Sequence, residues 1–580
     1  MISMKQRYKK QDARRGAALL IVLFIVMTIT VLSLGFMSRC DTELACGQNT
    51  VLREQMDSLA YSGLEQARGL LLYPQDSAAI AAGNYWTGAS GQQLASGNDY
   101  YDVRVAMHTV ADTDPAYRCT YDVNSEAYRL KGGTKVGRSS IAGEFRIDQC
   151  IAYRADAGVS IPSRVTVNGD VYCNGNLLNL GVINGDVYAN ALSGSASGQT
   201  KAIAQSTVLW PNVTVADFTS KYAVQSLPAT VSGTSYGPYT PVKVCYYNGT
   251  LTLGGNAVIE GMLVVNGDLQ VSGTGNSITA GKNLPALYVT GDIIIQDFAE
   301  LTVNGLAVVE NRVKIRPSAG NVNVYGGLFT KNGLFETAVD SSGNAIPAFL
   351  YNGPTWRSGG QVSGALELDG VDDYLRTDDN SSTLPITNDY TISVYVKADP
   401  SQKIWAGIFS KTNGTNLLTL QFDTSTPRKL IIQHPAGSWD TGIRITDLSN
   451  GAWHNIRVVR NGTTMKSYLD ANPIPKNSGT LFVGPGGNNG HLNIGADMTA
   501  SSSYVFKGLI DELAIYDQAA AGANDIPLGL IGSWNFDKSG SGTVNINAMP
   551  NKTAVIVWSG STAMRWTQAG GAFFRTIRRN

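Results

Sequence analysis

The sequence predicts a mainly β protein that begins with one long, membrane-spanning α-helix. Residues 17–36 form an uncharged apolar run, and twenty residues at about 1.5 Å each cross the roughly 30 Å core of a bilayer. Short β-branched runs between Asn-Gly and Gly-Gly pairs fill residues 156–335 and favour a β-solenoid. Alternating strands with closely spaced turns occupy residues 336–520 and predict a β-sandwich.

Composition narrows the classes of function. The chain has 580 residues, which predicts two to four domains. Lys+Arg and Asp+Glu both number 45, so the net charge is zero and no nucleic-acid partner is expected. Six cysteines without a CxxC pair, and only four histidines, argue against a zinc site. Cys119 and Cys150 are candidates for a disulfide in an oxidising compartment, with free buried thiols as the alternative.

The N-terminal 74 residues predict a leader followed by one helix. Residues 1–16 form a basic leader with six Lys or Arg against a single acid, which places the N-terminus in the cytoplasm. The apolar run is longer than the core of an ordinary secretory signal peptide, so removal as such a signal is not expected. An amphipathic pattern continues from Asp41 to Leu72 and Pro74 ends it, so residues 17–74 are predicted to form one membrane-spanning and assembly helix.

Two stretches of this region carry a family resemblance. Arg15-Gly16 with "AALLIVLFIVMTITVLSL", followed by "LAYSGLEQARGLLL" (residues 59–72), resembles the N-terminal region of type IV pilin-like proteins, nearest to minor pilins and minor pseudopilins. The resemblance implies that a prepilin peptidase cuts between Gly16 and Ala17, and that residues 17–72 then pack against other pilin-like subunits. Major pilins have Glu at the fifth mature position, where this chain has Ile21. Some minor pseudopilins also lack that Glu, so the departure fits a minor subunit, and an uncleaved signal anchor is the alternative.

Residues 75–155 predict a small antiparallel sheet after the helix. Four alternating stretches, from "YYDVRVAMH" to "RSSIAGEFRID", lie between residues 100 and 148, and Gly132-Gly133 marks a hairpin turn. A long helix followed by such a sheet resembles the pilin-like layout; any α+β domain is the alternative.

Residues 156–335 contain a weak internal repeat. "VTVNGDVYCNGN" (residues 165–176) recurs as "GVINGDVYANA" (residues 181–191), with echoes up to residue 333. Units of this size cannot bury an apolar face alone, so we expect them to stack as a solenoid, with an insertion near residues 195–245. A β-sandwich of hairpins is the alternative. The repeated aspartates are expected to cap turns rather than to bind calcium; they are Asp170, Asp186, Asp268 and Asp292.

The C-terminal half resembles a second family. The stretches "LDGVDDYL" (residues 368–375), residues 453–470 and "GLIDELAIYDQA" (residues 508–519) resemble, in order, the signatures of the laminin-G-like, concanavalin A-like jelly roll. That family usually binds carbohydrates or proteins, sometimes through a structural Ca²⁺, which prefers carboxylate and carbonyl oxygens. The candidate calcium ligands are the acidic positions of those signatures: Asp369, Asp372, Asp373 and Asp511.

Residues 521–580 form a C-terminal β tail. "GLIGSWNFDKSGSG" (residues 529–542) resembles the first strand of the jelly-roll family, yet it follows the body of the domain. Either the module is permuted, or the jelly roll is inserted into the preceding β body and the tail resumes that body.

These features together predict a bacterial inner-membrane protein, with a cytoplasmic N-terminus and its bulk in the periplasm or, after filament assembly, outside the cell. It would be a non-enzymatic minor component of a type IV pilus or a type II secretion-like filament, and its jelly roll would bind a glycan or a surface protein. The first alternative is an uncleaved, signal-anchored structural protein that uses the jelly roll for protein contacts. The second is a glycan-active enzyme, although no nucleophile motif such as G-x-S-x-G is present.

Overall fold

The computed structural model describes most of the chain. The described residues are 5–72, 86–109, 120–147 and 151–547, with short gaps, and three strands beyond residue 547. The gaps are residues 207–209, 282–283, 345, 378–383, 387, 413–416, 436, 486–489, 498 and 541. The predicted pair Cys119 and Cys150 lies outside the described residues.

One continuous helix, α1, runs from Lys5 to Leu72 and therefore also includes most of the basic leader. The helix is exposed along the whole stretch from residue 17 to residue 51, which contains the apolar run of residues 17–36. An 18-residue window of the helix has a mean hydropathy of 2.8, so the helix is long and apolar enough to cross a membrane or to act as a signal sequence. Met56 and Leu59, on the predicted apolar stripe, are buried against a sheet, as is Leu64.

The sheet under the C-terminal part of α1 has five antiparallel strands. Buried and exposed positions alternate along its central strand, so one face packs on the helix and the other faces away. Its last strand comes from the C-terminal end of the chain and pairs with the strand at residues 134–147. In spatial order the strands are Gly88–Gln92, Asp99–Met107, Thr120–Lys131, Thr134–Ile147 and Ala572–Arg579.

The middle of the chain is a β-solenoid, as predicted, built from parallel strands on three faces. Aliphatic side chains from all three faces fill its interior. The first face contains Ile151–Ala155, Asp170–Cys173, Val187–Tyr188, Thr200–Lys201, Ala223–Ser226, Lys243–Asn248, the second half of Val258–Asn266, Leu287–Val289, Ala307–Val309 and Leu328–Thr330. The second contains Val165–Asn168, Val182–Asn184, Ser235–Tyr236, the first half of Val258–Asn266, Asn276–Ala280, Leu301–Asn304, Val322–Tyr325 and Val544–Asn547. The third contains Val159–Ile161, Asn176–Asn179, Ala191–Ser193, Thr230–Val231, Leu251–Leu253, Leu269–Val271, Ile293–Ile295, Val313–Ile315 and Leu334–Ala338.

The rungs of the solenoid do not stack in chain order. The first strand, Ile151–Ala155, pairs in parallel with Leu328–Thr330, so the N-terminal rungs continue the stack beyond the last of the later ones. The chain then passes between rungs through residues 202–222, within the predicted insertion. This segment contains the short helix α2 (Val215–Thr219) and the 3₁₀ turn Ile203–Gln205, and its Phe218 is fully buried beside Tyr288.

Side chains at the repeated turns bond from rung to rung. Asn184 Nδ2 donates to Asn168 Oδ1 at 2.8 Å, for example. The four repeated aspartates accept a backbone N–H from the following rung, so each stabilises a turn in the expected way. The bonds are Asp186 N to Asp170 at 2.9 Å, Gln199 N to Asp186 at 2.8 Å, Asp292 N to Asp268 at 2.8 Å and Arg312 N to Asp292 at 3.1 Å.

The jelly roll consists of two antiparallel sheets around a separate apolar core. One sheet contains Ala348–Tyr351, Tyr374–Thr377, His491–Ile494, Gly407–Thr412, Leu417–Phe422, Lys429–His434 and Gly437–Arg444. The other contains Thr355–Val362, Gly364–Asp369, Lys507–Tyr516, Tyr390–Ala398, His454–Asn461, Thr464–Leu469 and Asn477–Thr480, with Leu530–Trp534 paired to Lys507–Tyr516. The helix α3 (Ile445–Leu448) and the 3₁₀ turn Ser502–Tyr504 lie between strands.

The jelly roll interrupts the solenoid between two rungs. The chain leaves the solenoid after Leu334–Ala338, and that strand pairs antiparallel with Ala348–Tyr351, so one sheet runs from the solenoid into the jelly roll. The chain returns as Val544–Asn547, which pairs in parallel with Val322–Tyr325. Residues 521–580 thus contribute one strand to each of three modules, and the jelly-roll sheet extends past residue 520 to Trp534.

A buried ionic cluster holds this junction together. Arg164 is 6% exposed and donates to the carbonyls of Gly542 and Ala319 at 2.7 and 2.6 Å. Its guanidinium also lies 3.5 Å from Glu336, which in turn contacts Lys538 at 3.3 Å. Both ends of the insertion are therefore tied to the same rung of the solenoid.

Candidate binding site

Three of the four predicted calcium ligands lie on one turn, which we call the acidic loop (residues 369–373). The loop joins the strands Gly364–Asp369 and Tyr374–Thr377. Asp369 Oδ1 accepts the N–H of Val371 at 2.6 Å, and Asp373 Oδ2 accepts the N–H of Asp369 at 3.0 Å. Gly370 has a φ of +73°, a left-handed conformation that favours glycine. One carboxylate oxygen of each aspartate lies within 4.8 Å of those of the other two.

The electrostatics of the acidic loop favour a bound cation. Asp373 is only 4% exposed, and burial, together with the charges of Asp369 and Asp372, raises its pKa to about 7. Burial and the charge of Asp369 also raise the pKa of Asp372. The ammonium of Lys403 lies nearby and donates to the carbonyls of Val371 and Ser502 at 3.2 and 2.6 Å. A hard divalent cation would offset the repulsion between the three carboxylates.

The acidic loop fits calcium in its donor chemistry. Ca²⁺ takes six to eight oxygen ligands in flexible geometry, including carboxylates, carbonyls and water. The loop presents three carboxylates, and Asp369 is exposed, so water can complete the shell. The carbonyl of Asp372 is already an acceptor for Asn352 Nδ2 at 2.9 Å.

The fourth predicted ligand, Asp511, lies away from the acidic loop. Asp369 pairs with Lys507 on the neighbouring strand. Asp511 lies four residues beyond Lys507, which at about 3.4 Å per residue is roughly 14 Å along that strand. Asp511 is fully buried and accepts the N–H groups of Val362 and Glu512 at 3.0 and 2.8 Å. Burial raises its pKa to about 7. Its contacts hold neighbouring strands, so it has a different environment from the loop.

A groove next to the acidic loop separates the jelly roll from the solenoid. Tyr351 lies on its jelly-roll side and stacks on Tyr374, with ring centroids 5.0 Å apart and an interplanar angle of 4°. The groove has a volume of about 510 Å³, and Tyr351 and Asn352 line its jelly-roll wall, while Phe335 comes from the solenoid strand Leu334–Ala338. The opposite wall is formed by the solenoid strands Val159–Ile161, Asn176–Asn179 and Ala191–Ser193.

Asn352 connects the groove to the acidic loop. It has a φ of +64°, and its side chain donates to Asp372 as described above. The following Gly353 lies next to Asp373 and against Leu180 of the solenoid. A ligand in the groove would thus meet aromatic faces, side-chain amides and hydroxyls, with the acidic loop close by. This combination suits a sugar, because rings stack on aromatic faces while amides and hydroxyls hydrogen-bond to sugar hydroxyls.

Several other aromatic and histidine side chains of the jelly roll have structural positions. Trp439 is 8% exposed and belongs to the jelly-roll core, so it cannot serve as a sugar-stacking surface. His434 bonds to the hydroxyl of Tyr390 at 2.9 Å, and burial lowers its pKa to about 4. His454 lies on a jelly-roll strand and bonds to Asp470 at 2.8 Å.

Comparisons with known proteins concern the jelly roll. Residues 369–524 match the model of the concanavalin A-like lectin/glucanases superfamily. Among solved structures, domain 4 of an extracellular arabinanase from Geobacillus stearothermophilus, in complex with arabinotriose, is 21% identical and covers 34% of this chain and 87% of its own, with a TM-score of 0.25. A heptameric SAP-like pentraxin from Limulus polyphemus is 19% identical over 28% of this chain and 81% of its own, with a TM-score of 0.22. Domains LG4-5 of the mouse laminin α1 chain are 14% identical over 30% of this chain and 46% of their own, also with a TM-score of 0.22. No curated protein matches the chain.

The family match confirms the predicted laminin-G-like, concanavalin A-like jelly roll. The superfamily model is named for both lectins and glucanases, so the fold is shared by sugar-binding and sugar-cleaving proteins. The chain therefore carries a module of a carbohydrate- or protein-binding type behind an N-terminal apolar helix.

Proposed function

We propose that this protein is a pilin-like, membrane-anchored envelope protein of a bacterium that presents its jelly roll to bind a glycan. It is a minor component of a type IV pilus or a type II secretion-like filament. Prepilin peptidase cuts between Gly16 and Ala17, and the exposed apolar helix then packs against other subunits. The exposure of the apolar run at residues 17–36 supports this proposal, because an apolar helix of that length requires a membrane or other helices as its surroundings.

The position of Tyr351 in an open groove, with its ring stacked on Tyr374, is the observation that carries the binding role. A sugar ring packs on the side of Tyr351 that lines the groove, and Asn352 supplies hydrogen bonds at the rim. Ca²⁺ on Asp369, Asp372 and Asp373 fixes the acidic loop and, through the bond from Asn352 to Asp372, the wall of the groove. Binding involves no bond cleavage.

A glycan array with the full-length protein in detergent tests this role. The unaltered protein should bind a discrete set of oligosaccharides, and Tyr351→Ala should weaken binding about tenfold or more, as expected for a central aromatic contact. Tyr504→Ala is the matched control, because Tyr504 is a half-buried jelly-roll tyrosine outside the groove. Its binding should be unchanged.

The same array separates the alternatives. Binding that survives in Tyr351→Ala would refute the groove as the site, and the absence of any bound glycan would favour a protein ligand. Turnover of a bound oligosaccharide would favour a glycan-active enzyme. Chelator should weaken binding by the unaltered protein and leave Asp373→Asn unaffected if calcium organises the groove.

A further inference from the structure

Three potential metal ligands meet on the antiparallel sheet beneath α1, far along the chain from the jelly roll. They are His108, Asp122 and Glu144, and one ligand atom of each lies within 4.8 Å of those of the other two. All three side chains are half-buried, so an ion can reach them from solvent. The proposed binding role of the jelly roll uses none of them.

The strand register explains why these residues meet. Asp122 pairs with Ala106 on one neighbouring strand and with Glu144 on the other. His108 follows Ala106 by two residues, and because side chains alternate along a strand it shares the face of Asp122. That face points away from α1, since Tyr121 and Val123 on the same strand are buried towards the helix. Two adjacent strands thus supply Asp122 and Glu144, and His108 directly follows the end of the third strand, Asp99–Met107.

The two carboxylates of this cluster favour a bound cation. Asp122 and Glu144 stand directly opposite each other, and like charges at paired positions destabilise a sheet. Burial and the proximity of Glu144 raise the pKa of Asp122, and the neighbouring His108 counteracts them. Arg146 lies two residues beyond Glu144, and its charge also contributes to the lowered pKa of Asp186 in the solenoid. A divalent ion between the two carboxylates would offset their repulsion.

We infer that His108, Asp122 and Glu144 form a zinc site. Zn²⁺ binds imidazole nitrogen and carboxylate oxygen at about 2.0–2.2 Å, which places the ligands roughly 3.4 Å from one another in a tetrahedral arrangement. The observed separations of up to 4.8 Å close to that value through side-chain rotation. Water supplies the fourth position. The ion joins three strands of the sheet on which α1 rests, and its imidazole ligand distinguishes this site from the oxygen-only acidic loop.

The shortage of cysteine and histidine in the sequence argued against zinc, and this cluster revises that expectation. The ligands are 14 and 22 residues apart along the chain and match no common zinc spacing. Only the pairing of the three strands brings them together.

Isothermal titration of the untagged, full-length protein in detergent with ZnCl₂ tests the site. The unaltered protein should bind one equivalent of Zn²⁺, with the melting temperature raised by several degrees. His108→Ala and Glu144→Gln should each weaken binding at least tenfold and abolish the rise in melting temperature. His491→Ala is the matched control, because His491 is an exposed histidine in the jelly roll, and it should bind as the unaltered protein does.

Cobalt substitution keeps the test decisive if a variant folds poorly. Co²⁺ bound to the unaltered protein should show visible absorption bands that are lost in Asp122→Asn, whose strand content is checked by circular dichroism. Ca²⁺ should not displace the Co²⁺, since it avoids imidazole. Absence of zinc binding at 1 mM would overturn the inference, as would binding that His491→Ala removes and His108→Ala leaves intact.

Discussion

Arg164 is the residue on which the joint between solenoid and jelly roll most depends. Its guanidinium donates to Gly542, where the chain returns from the jelly roll, and to the carbonyls of Ala319, Pro317 and Arg316 on the adjacent rung. Replacement by methionine keeps the apolar stem but removes these donors, although the carbonyls of Ala319 and Arg316 keep the backbone N–H groups of Gly542 and Ala319 at 2.9 and 3.1 Å. Each buried unsatisfied group costs about 1–3 kcal/mol, and loss of one partner of a buried ion pair costs about 3–5 kcal/mol.

We expect the loss of stability in Arg164→Met to lie at the lower end of the range for a buried ion pair. Glu336 keeps Lys538 as a partner at 3.3 Å, so its charge is not left uncompensated. We therefore expect the free energy of unfolding to fall by about 3 kcal/mol. Arg164→Lys should lose about half as much, because it keeps the charge but not the planar fork of donors.

Guanidinium unfolding of the full-length protein in detergent, followed by circular dichroism, measures this loss. Arg357→Met is the matched control, because Arg357 is 55% exposed and pairs with Glu367 at the surface. Its effect should stay below about 1 kcal/mol. If Arg164→Met were as mild as Arg357→Met, the cluster would not hold the junction and the reasoning would be refuted.

Four further predictions concern the helix, the acidic loop and the C-terminal strand. Gly63→Leu should destabilise the protein by about 1–3 kcal/mol in thermal unfolding, because a Cβ there would meet Ser125, Tyr101 and Val103 at 3.0 Å or less; Gly69→Leu, which meets nothing within 4 Å, should not. Because the pKa of Asp373 is raised, the folded state binds the proton of this carboxyl more tightly than the unfolded state does. The stability that the protonated Asp373 contributes below pH 4 is therefore lost as pH rises towards 7. Asp373→Asn should flatten that part of the curve of unfolding free energy against pH. Calcium binds the ionised form, so Ca²⁺ should raise the melting temperature more at pH 8 than at pH 6, and equal shifts would contradict the loop site. Deletion of residues 570–580 should expose the edge of the strand at residues 134–147 and promote self-association, visible in light scattering.

Local patterns in the sequence were sufficient to predict the fold class of each module. The alternation around Tyr121 and Val123 reflects a strand with one buried face, and the apolar run after Gly16 reflects a helix with no protein around it. The jelly-roll signatures, including Asp369 to Asp373, mark turns that the fold requires. Each of these signals lies within a few residues, which is why one sequence suffices.

The same local patterns could not predict which distant strands pair with each other. Any short β-branched run can pair with another, so nothing local shows that the strand beginning at Ile151 stacks on the one beginning at Leu328. The groove behind Tyr351 exists because two modules meet there, and the cluster at His108 exists because of strand register. Asp511 shows the converse, since a residue in a matching motif lies in another part of the domain from its expected partners.

The mature N-terminus tests the account most directly. The protein is expressed at full length with a prepilin peptidase, extracted from the membrane with detergent and analysed by intact-mass spectrometry. The account predicts that the mature chain starts at Ala17, since the peptidase removes residues 1–16. A chain that still starts at Met1 would contradict the processed, pilin-like subunit and leave an uncleaved anchor that carries the same binding module.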